Sequence, residues 1–318
     1  LVADKFKMPV NGEVLTVISA ERDTTLYTLL ETFSLADPLA PLKLGDLELG
    51  LSERLHATRF AGDRVYVVTF FVQFQMDPLW VVDLSQPAAP RILGELEIPG
   101  WSTYLHPWGD RLVACGIETN QTTVSLFDVA DPERPALLKR LVLGSGWSWS
   151  EANNDEKAFR VLPDDGLILL PYQSWDEGKS TTRVQLIDLS PETLVARGAI
   201  DHAMVPRRAT LHRERVISVS GQELLCADIT DRDRPKVTAQ LDLAWPVDWV
   251  IVKGEYVLEL SRGPMWYGEG GEPLIRLASV AAPDAVLGVV ALPRSWPILA
   301  AEARRSEERR VGKECRSR

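Results

Sequence analysis

Short apolar runs separated by turn-forming clusters recur along the whole chain, and they read as strands. Leu55–Phe60 is followed by a tight Gly62-Asp63 turn and then by Val65–Phe70 (VYVVTF), β-branched and aromatic in the manner of a buried strand. After a loop to Pro78 come Leu79–Asp83, a Ser-Gln-Pro-Ala-Ala-Pro turn and Arg91–Ile98. The next stretch repeats the order: Thr103–His106, a turn at Gly109-Asp110, Leu112–Gly116, Val124–Asp128, a proline-containing turn and Leu137–Leu143. One segment follows a different period. Leu26, Leu29, Leu30 and Phe33 are spaced like a helix face, but its place in the repeat predicts a strand over Thr25–Leu35.

The turn after the third strand of each unit carries the clearest repeat. Val82-Asp83-Leu84-Ser85-Gln86-Pro87, Phe127-Asp128-Val129-Ala130-Asp131-Pro132 and Ala227-Asp228-Ile229-Thr230-Asp231 are each followed by a further proline. Ile187-Asp188-Leu189-Ser190-Pro191 keeps the first half, and copies near Ser34 and Ser279 are weaker. Anchors at 34, 83, 128, 188, 228 and 279 lie 49, 45, 60, 40 and 51 residues apart, the period of four-stranded propeller blades. The expected fold is therefore all-β: a β-propeller of four-stranded antiparallel blades, six of them recognisable, at about 1–50, 51–98, 99–143, 144–200, 201–243 and 244–292. Val65, Val67, Leu112 and Ile168, in second strands, are expected to be buried between blades. The repeated Asp is expected to accept backbone N–H bonds in its turn, and the prolines to stop the strand.

Composition narrows the class. The 318 residues are 45% hydrophobic and 25% charged, which excludes disordered, collagen-like and coiled-coil chains. No apolar run reaches the eighteen or so residues of a membrane-spanning helix. Residues 305–318 (RSEERRVGKECRSR) look like a translated sequencing adapter and are set apart as non-natural; 293–304 are left as a C-terminal remnant. The tail holds 6 basic and 3 acidic residues, leaving 29 basic against 42 acidic in the rest. So acidic a body argues against nucleic-acid binding. Cys115 and Cys226 sit in apolar runs without CxxC spacing, which points to neither a disulfide framework nor a zinc site.

Ala57–Phe70 (ATRFAGDRVYVVTF), Asp77–Pro107, Ser125–Pro135 (SLFDVADPERP) and Ser150–Phe159 (SEANNDEKAF) resemble, in that order, bacterial secreted proteins with a C-terminal β-propeller domain, distantly related to WD-repeat proteins. The resemblance covers most of the chain and is strongest from 55 to 165. It implies an exported propeller, extracellular or held at the cell envelope, with no established biochemical activity. Because the family's chains extend further upstream, it also implies a propeller truncated at its N-terminus.

No protease, hydrolase, nucleotide-binding or EF-hand motif is present. The candidate chemistry is positional. Phe71–Asp77, Ile117–Thr122, Gly144–Asn154, Gln173–Thr182 and Gly263–Glu272 read as long loops on one face, and six tryptophans fall in such segments: Trp101, Trp147, Trp149, Trp175, Trp245 and Trp266. Clustered indoles favour a binding surface for a protein, peptide or glycan. Arg59, Tyr104, His106, Glu151, Asn154, Asp155, Lys157, Arg207, Arg208, Asp248 and Trp249 are expected on first strands lining a central channel. The alternative is a hydrolase or lyase using His106 with Glu151 or Asp248. No cofactor is expected; Glu151 and Asp155, beside two asparagines, offer oxygen ligands suited to Ca²⁺.

Overall fold

The computed structural model describes residues 4–22, 26–70, 76–176, 179–245, 247–261 and 273–292. Residues 305–318, Trp266 and the 263–272 loop lie outside that set. The described chain is strands and turns, with four single-turn 3-10 segments and no α-helix.

Six antiparallel sheets follow one another along the sequence. Sheet A contains β1 (Val10–Asn11), β2 (Val14–Arg22), β3 (Leu26–Ser34) and β4 (Leu42–Leu49). Sheet B contains β5 (Arg54–Ala61), β6 (Arg64–Phe70), β7 (Met76–Asp83) and β8 (Arg91–Pro99). Sheet C contains β9 (Trp101–Trp108), β10 (Arg111–Glu118), β11 (Gln121–Asp128) and β12 (Ala136–Leu143). In sheet D the first strand is split into β13 (Trp147–Trp149) and β14 (Arg160–Leu162), followed by β15 (Leu167–Asp176), β16 (Lys179–Leu189) and β17 (Leu194–Asp201). Sheet E contains β18 (Pro206–His212), β19 (Arg215–Ser220), β20 (Glu223–Asp228) and β21 (Lys236–Asp242). Sheet F contains β22 (Trp249–Lys253), β23 (Tyr256–Ser261), β24 (Leu274–Ser279) and β25 (Ala282–Ala291). The helix-spaced leucines belong to strand β3, whose burial alternates through Thr28, Leu30 and Thr32.

The chain divides into two compact units, Leu1–Leu241 and Asp242–Arg318. In the first, each pair of consecutive sheets encloses one apolar layer. Ile18 and Leu30 meet Val65 and Val67 between A and B. Val68 and Leu79 meet Leu112 and Phe127 between B and C. Val113 and Leu126 meet Ile168 and Leu170 between C and D. Leu167 and Leu186 meet Val216 and Leu225 between D and E. The second strands of sheets B, C and D are apolar on both faces because both faces are covered; Val65, Val67, Leu112 and Ile168 are fully buried. In the second unit, Glu259 accepts from the Trp245 indole N–H at 2.8 Å and pairs with Arg276 at 2.9 Å.

The repeated turn has a packing role. Asp83, Asp128 and Asp228 each accept the backbone N–H two residues on, at 2.9, 3.0 and 2.9 Å. Asp131 and Asp231 do the same in the second half of the turn. The turn so fixed presses its backbone onto a glycine in the outermost strand of the preceding sheet: Pro87 and Ala88 over Gly45, Pro132 over Gly94, Asp233 over Gly198. Sheet D has only the half-turn at Ser190-Pro191, and the register position in sheet C that corresponds to Gly94 holds an exposed lysine, Lys139. Turn and glycine are thus present together or absent together at that step.

Candidate functional site

In sheets A to E the innermost strands break at one level. Register shifts leave a single extra residue in three of them: His56 in β5, Thr103 in β9 and Arg207 in β18. Counted from the Asp-paired start of each second strand, the three bulges fall on the same step. In sheet D that step holds a ten-residue insertion, Ser150–Phe159, between β13 and β14. In sheet A, β1 stops short of it and the preceding Asp4–Lys7 turn packs against β2 and β5. A bulge re-aims a side chain without disturbing the strands around it, and here His56, Thr103 and both departures of the chain, though not Arg207, border one cavity.

That cavity, about 370 Å³, is bounded by Asp4–Lys7, by His56–Thr58 of β5, by Thr103–Leu105 of β9 and by Ala152–Asn154 with Glu156 of the insertion. Its size is within the range of small-molecule sites. Asp4 caps its own turn by accepting the Phe6 N–H at 2.9 Å and forms an ion pair with the buried Lys7. Lys5 pairs with Glu156. The Thr58 hydroxyl donates to the Phe6 carbonyl at 2.7 Å. Phe6 stands edge-on to Tyr104, and Tyr104 edge-on to Phe159, each at 6.0 Å between centroids. The Arg59 guanidinium lies 4.9 Å from the Phe6 ring centre and 5.4 Å from that of Tyr104.

Electrostatics at this level favour neutral imidazoles. Burial, then the nearby Arg54 and Lys7, push His56 down to about 4. Burial, then Arg59 and Arg160, lower His106. Burial raises the Tyr104 hydroxyl. Glu151 opens the first 3-10 turn of the insertion, and among the described residues no hydrogen bond or ion pair joins it to His106. Asp248 belongs to the second unit. Among the described residues of the first unit, no carboxylate is hydrogen-bonded to or ion-paired with His106.

Of the oxygen ligands considered for Ca²⁺, Asp155 is otherwise engaged. Asp155 caps the Glu156–Ala158 turn and pairs with Arg208 at 2.9 Å. Among the described residues no three His, Cys, Asp or Glu side chains gather as a metal site. The residues from Glu151 to Lys157, expected on a first strand, form the insertion instead.

The tryptophans also sit differently from their expected loops. Trp101 opens β9, Trp147 and Trp149 lie in β13, and Trp175 lies in β15. Ile117–Thr122 is a tight hairpin whose two turn residues, Thr119 and Asn120, have φ of 49° and 64°, the geometry that suits the twist of the flanking strands. Gln173–Asp176 and Lys179–Thr182 extend β15 and β16. Local polarity suggested loops, but backbone pairing prevailed. Trp101, Trp147, Trp149 and Trp175 nevertheless lie at the same end of their sheets. Trp147 is directly opposite Trp175, and Trp149 opposite Gln173. Opposed residues share a face, so the three indoles lie on the face of sheet D whose Leu167 and Leu169 pack on sheet E. Sheet E ends lower: β19 and β20 have six residues against ten and eleven in β15 and β16. Trp147 and Trp175 are consequently 45% and 37% exposed. Trp101 packs into His56 and Phe70. Trp245 and Trp249 are half-buried in the second unit.

One further polar cluster has the composition of a hydrolytic triad but not the access. His202 Nε2 lies 2.8 Å from the Ser218 hydroxyl, and Nδ1 lies 3.2 Å from Glu223. Ser218 is 1% exposed, beyond the reach of any substrate. Glu223 also accepts the Ala203 N–H at 2.7 Å, so the cluster anchors the D-to-E connection.

Residues 1–231 match the family described as Beta propeller domain. The chain belongs to this family. Uncharacterised proteins of Archaeoglobus fulgidus and Methanocaldococcus jannaschii are 42% and 44% identical over 123 and 119 residues, or 38% and 37% of the chain. The matched stretches are only 19% and 18% of those relatives, so the chain spans about a fifth of their length. Similar solved structures include the Dos1 propeller, 13% identical with a TM-score of 0.46, covering 86% of this chain and 70% of that one. A putative 6-phosphogluconolactonase from Bacteroides uniformis is 15% identical with a TM-score of 0.45, covering 89% and 85%. Neither transfers an activity to this propeller.

The bulge residues His56 and Thr103 and the buried Lys7 were not singled out as site residues in the sequence, and Asn153 was considered only as an oxygen ligand beside Glu151 and Asp155. A bulge slips the alternation by one residue, too small a signal in strands where both faces carry apolar side chains.

Proposed function

We propose that the chain is an exported binding module that holds a glycan on the overhanging end of sheet D. The single supporting observation is the exposed Trp147–Trp175 pair, set opposite each other above the height of the neighbouring sheet. Of protein, peptide and glycan, the surroundings favour the last. Gln173 and Ser180 share the indole face and supply hydrogen-bonding groups for hydroxyls. The patch is a few side chains wide, well short of the roughly 800 Å² per partner of a stable protein interface. Export rests on the resemblance to secreted bacterial propellers, and a signal sequence in the uninterrupted gene is its test. For binding, a glycan array probed with the wild type and with a Trp147→Ala/Trp175→Ala double variant is decisive. Binding that falls at least 30-fold in the double variant, with an unchanged circular dichroism spectrum, supports the reading, the loss being about 2 kcal/mol. Retention by peptide but not glycan surfaces assigns the patch to a peptide instead.

A further inference from the structure

The inner cavity carries a second, separate site. Lys7 is 3% exposed, and Asp4 takes one of its three N–H donors. Asn153 is oriented by two groups that reach its Oδ1, the Thr103 hydroxyl at 2.9 Å and the Cys115 thiol at 3.9 Å. Asn153 Nδ2 is buried and, among the described residues, has no acceptor. Buried donors left unmet are costly, and native structures satisfy nearly all of them. Both residues border the same 370 Å³ cavity.

The charge around the cavity has the matching sign. Asp4 and Glu156 are each neutralised by a lysine. Arg54 and Arg59 act on the cavity-level histidines and Tyr104 as positive charges, and among the described residues no ion pair neutralises either of them. A surplus of cations at the inner strands is notable in a chain of net charge −10. We propose that this cavity binds a small oxyanion, a carboxylate- or phosphate-bearing molecule, with Lys7 Nζ and Asn153 Nδ2 as its donors. Charge-assisted hydrogen bonds to such a group are stronger than those to a neutral acceptor, and the cavity has no room for a macromolecule.

The test is isothermal titration of the full chain with citrate, inorganic phosphate and, as a neutral control of citrate's size, sorbitol. The expected result is binding of citrate or phosphate at least 10-fold tighter than sorbitol; which anion binds decides between carboxylate and phosphate. Asn153→Asp, isosteric but repulsive to an anion, should weaken that binding at least 10-fold while leaving the thermal midpoint near the wild-type value. Lys7→Gln should weaken it similarly. No heat with any probe, or equal binding of citrate and sorbitol, or an Asn153→Asp variant that binds as the wild type does, overturns the proposal. None of these outcomes involves the tryptophans of sheet D.

Discussion

Gly94 lies directly beneath the carbonyl oxygen of Pro132, so close that a Cβ on residue 94 would overlap it. The contact joins the outermost strand of sheet B to the repeated turn of sheet C. Overpacking against backbone cannot be relieved by a rotamer change and costs about 1–3 kcal/mol. Gly94→Ala is therefore expected to lower stability by about 2 kcal/mol in urea unfolding. Lys139→Ala, at the matching step where no full turn docks, should stay within about 0.5 kcal/mol. Equal effects of the two substitutions would contradict the docking role of the turn.

Acid should destabilise the protein through His56. Its folded pKa of about 4 lies below the ordinary 6.5, so the unfolded chain takes up the proton first as pH falls. The stability due to the neutral imidazole is full above about pH 6.5 and is lost progressively down to about pH 4, roughly 3 kcal/mol in all. Carboxylates titrate in part of the same range, so the comparison is with His56→Gln. The difference in unfolding free energy between pH 7 and pH 4 should be smaller in the variant by about that amount.

Asp188 accepts from Arg197 at 2.5 Å and from Arg232 at 2.6 Å, and Arg232 also donates to the carbonyls of Gly166 and Asp165. The network ties sheet D to the turn of sheet E. Asp188→Asn removes the charge shared by two guanidinium groups, and a loss of stability is expected that diminishes in 1 M salt because the groups are partly exposed. A loss that is the same in 1 M salt would place the effect in packing.

The two described cysteines should differ in reactivity. Burial pushes the Cys115 thiol up to about 12, whereas Cys226 is half-buried. Thiolate is the reactive form. In a Cys226→Ser/Cys315→Ser variant, Ellman's reagent should label nothing until denaturant is added. Prompt labelling of Cys115 under native conditions would show that the C–D layer opens readily.

The sheets were legible because each carries its own punctuation. The Asp-Pro turn marks the end of a third strand, and its shortened form at Ser190-Pro191 was visible as an exception before its packing consequence was known. The ends of strands were less legible. Trp147-Ser148-Trp149 sits between Gly-Ser-Gly and a polar run, and local composition there argues for a loop. What makes it a strand is distant in sequence: Ser148 accepts the Thr122 N–H at 2.7 Å and donates to the Leu143 carbonyl. The cavity was illegible for a related reason. Lys7, His56, Thr103 and Asn153 are separated by about fifty residues each and meet because the inner strands of sheets A to D break at the same step.

That shared break has a consequence for how such a chain can change length. Inside a paired strand, one inserted residue would turn every following side chain to the opposite face. At the break, residues are already out of the ladder, and sheet D accommodates ten of them while Leu162 still pairs with Leu167 and Trp149 with Gln173. The same step in sheets B, C and E is thus a natural port for grafted peptides: each would deliver new chemistry to the inner strand of its sheet while the strands on either side kept their registry.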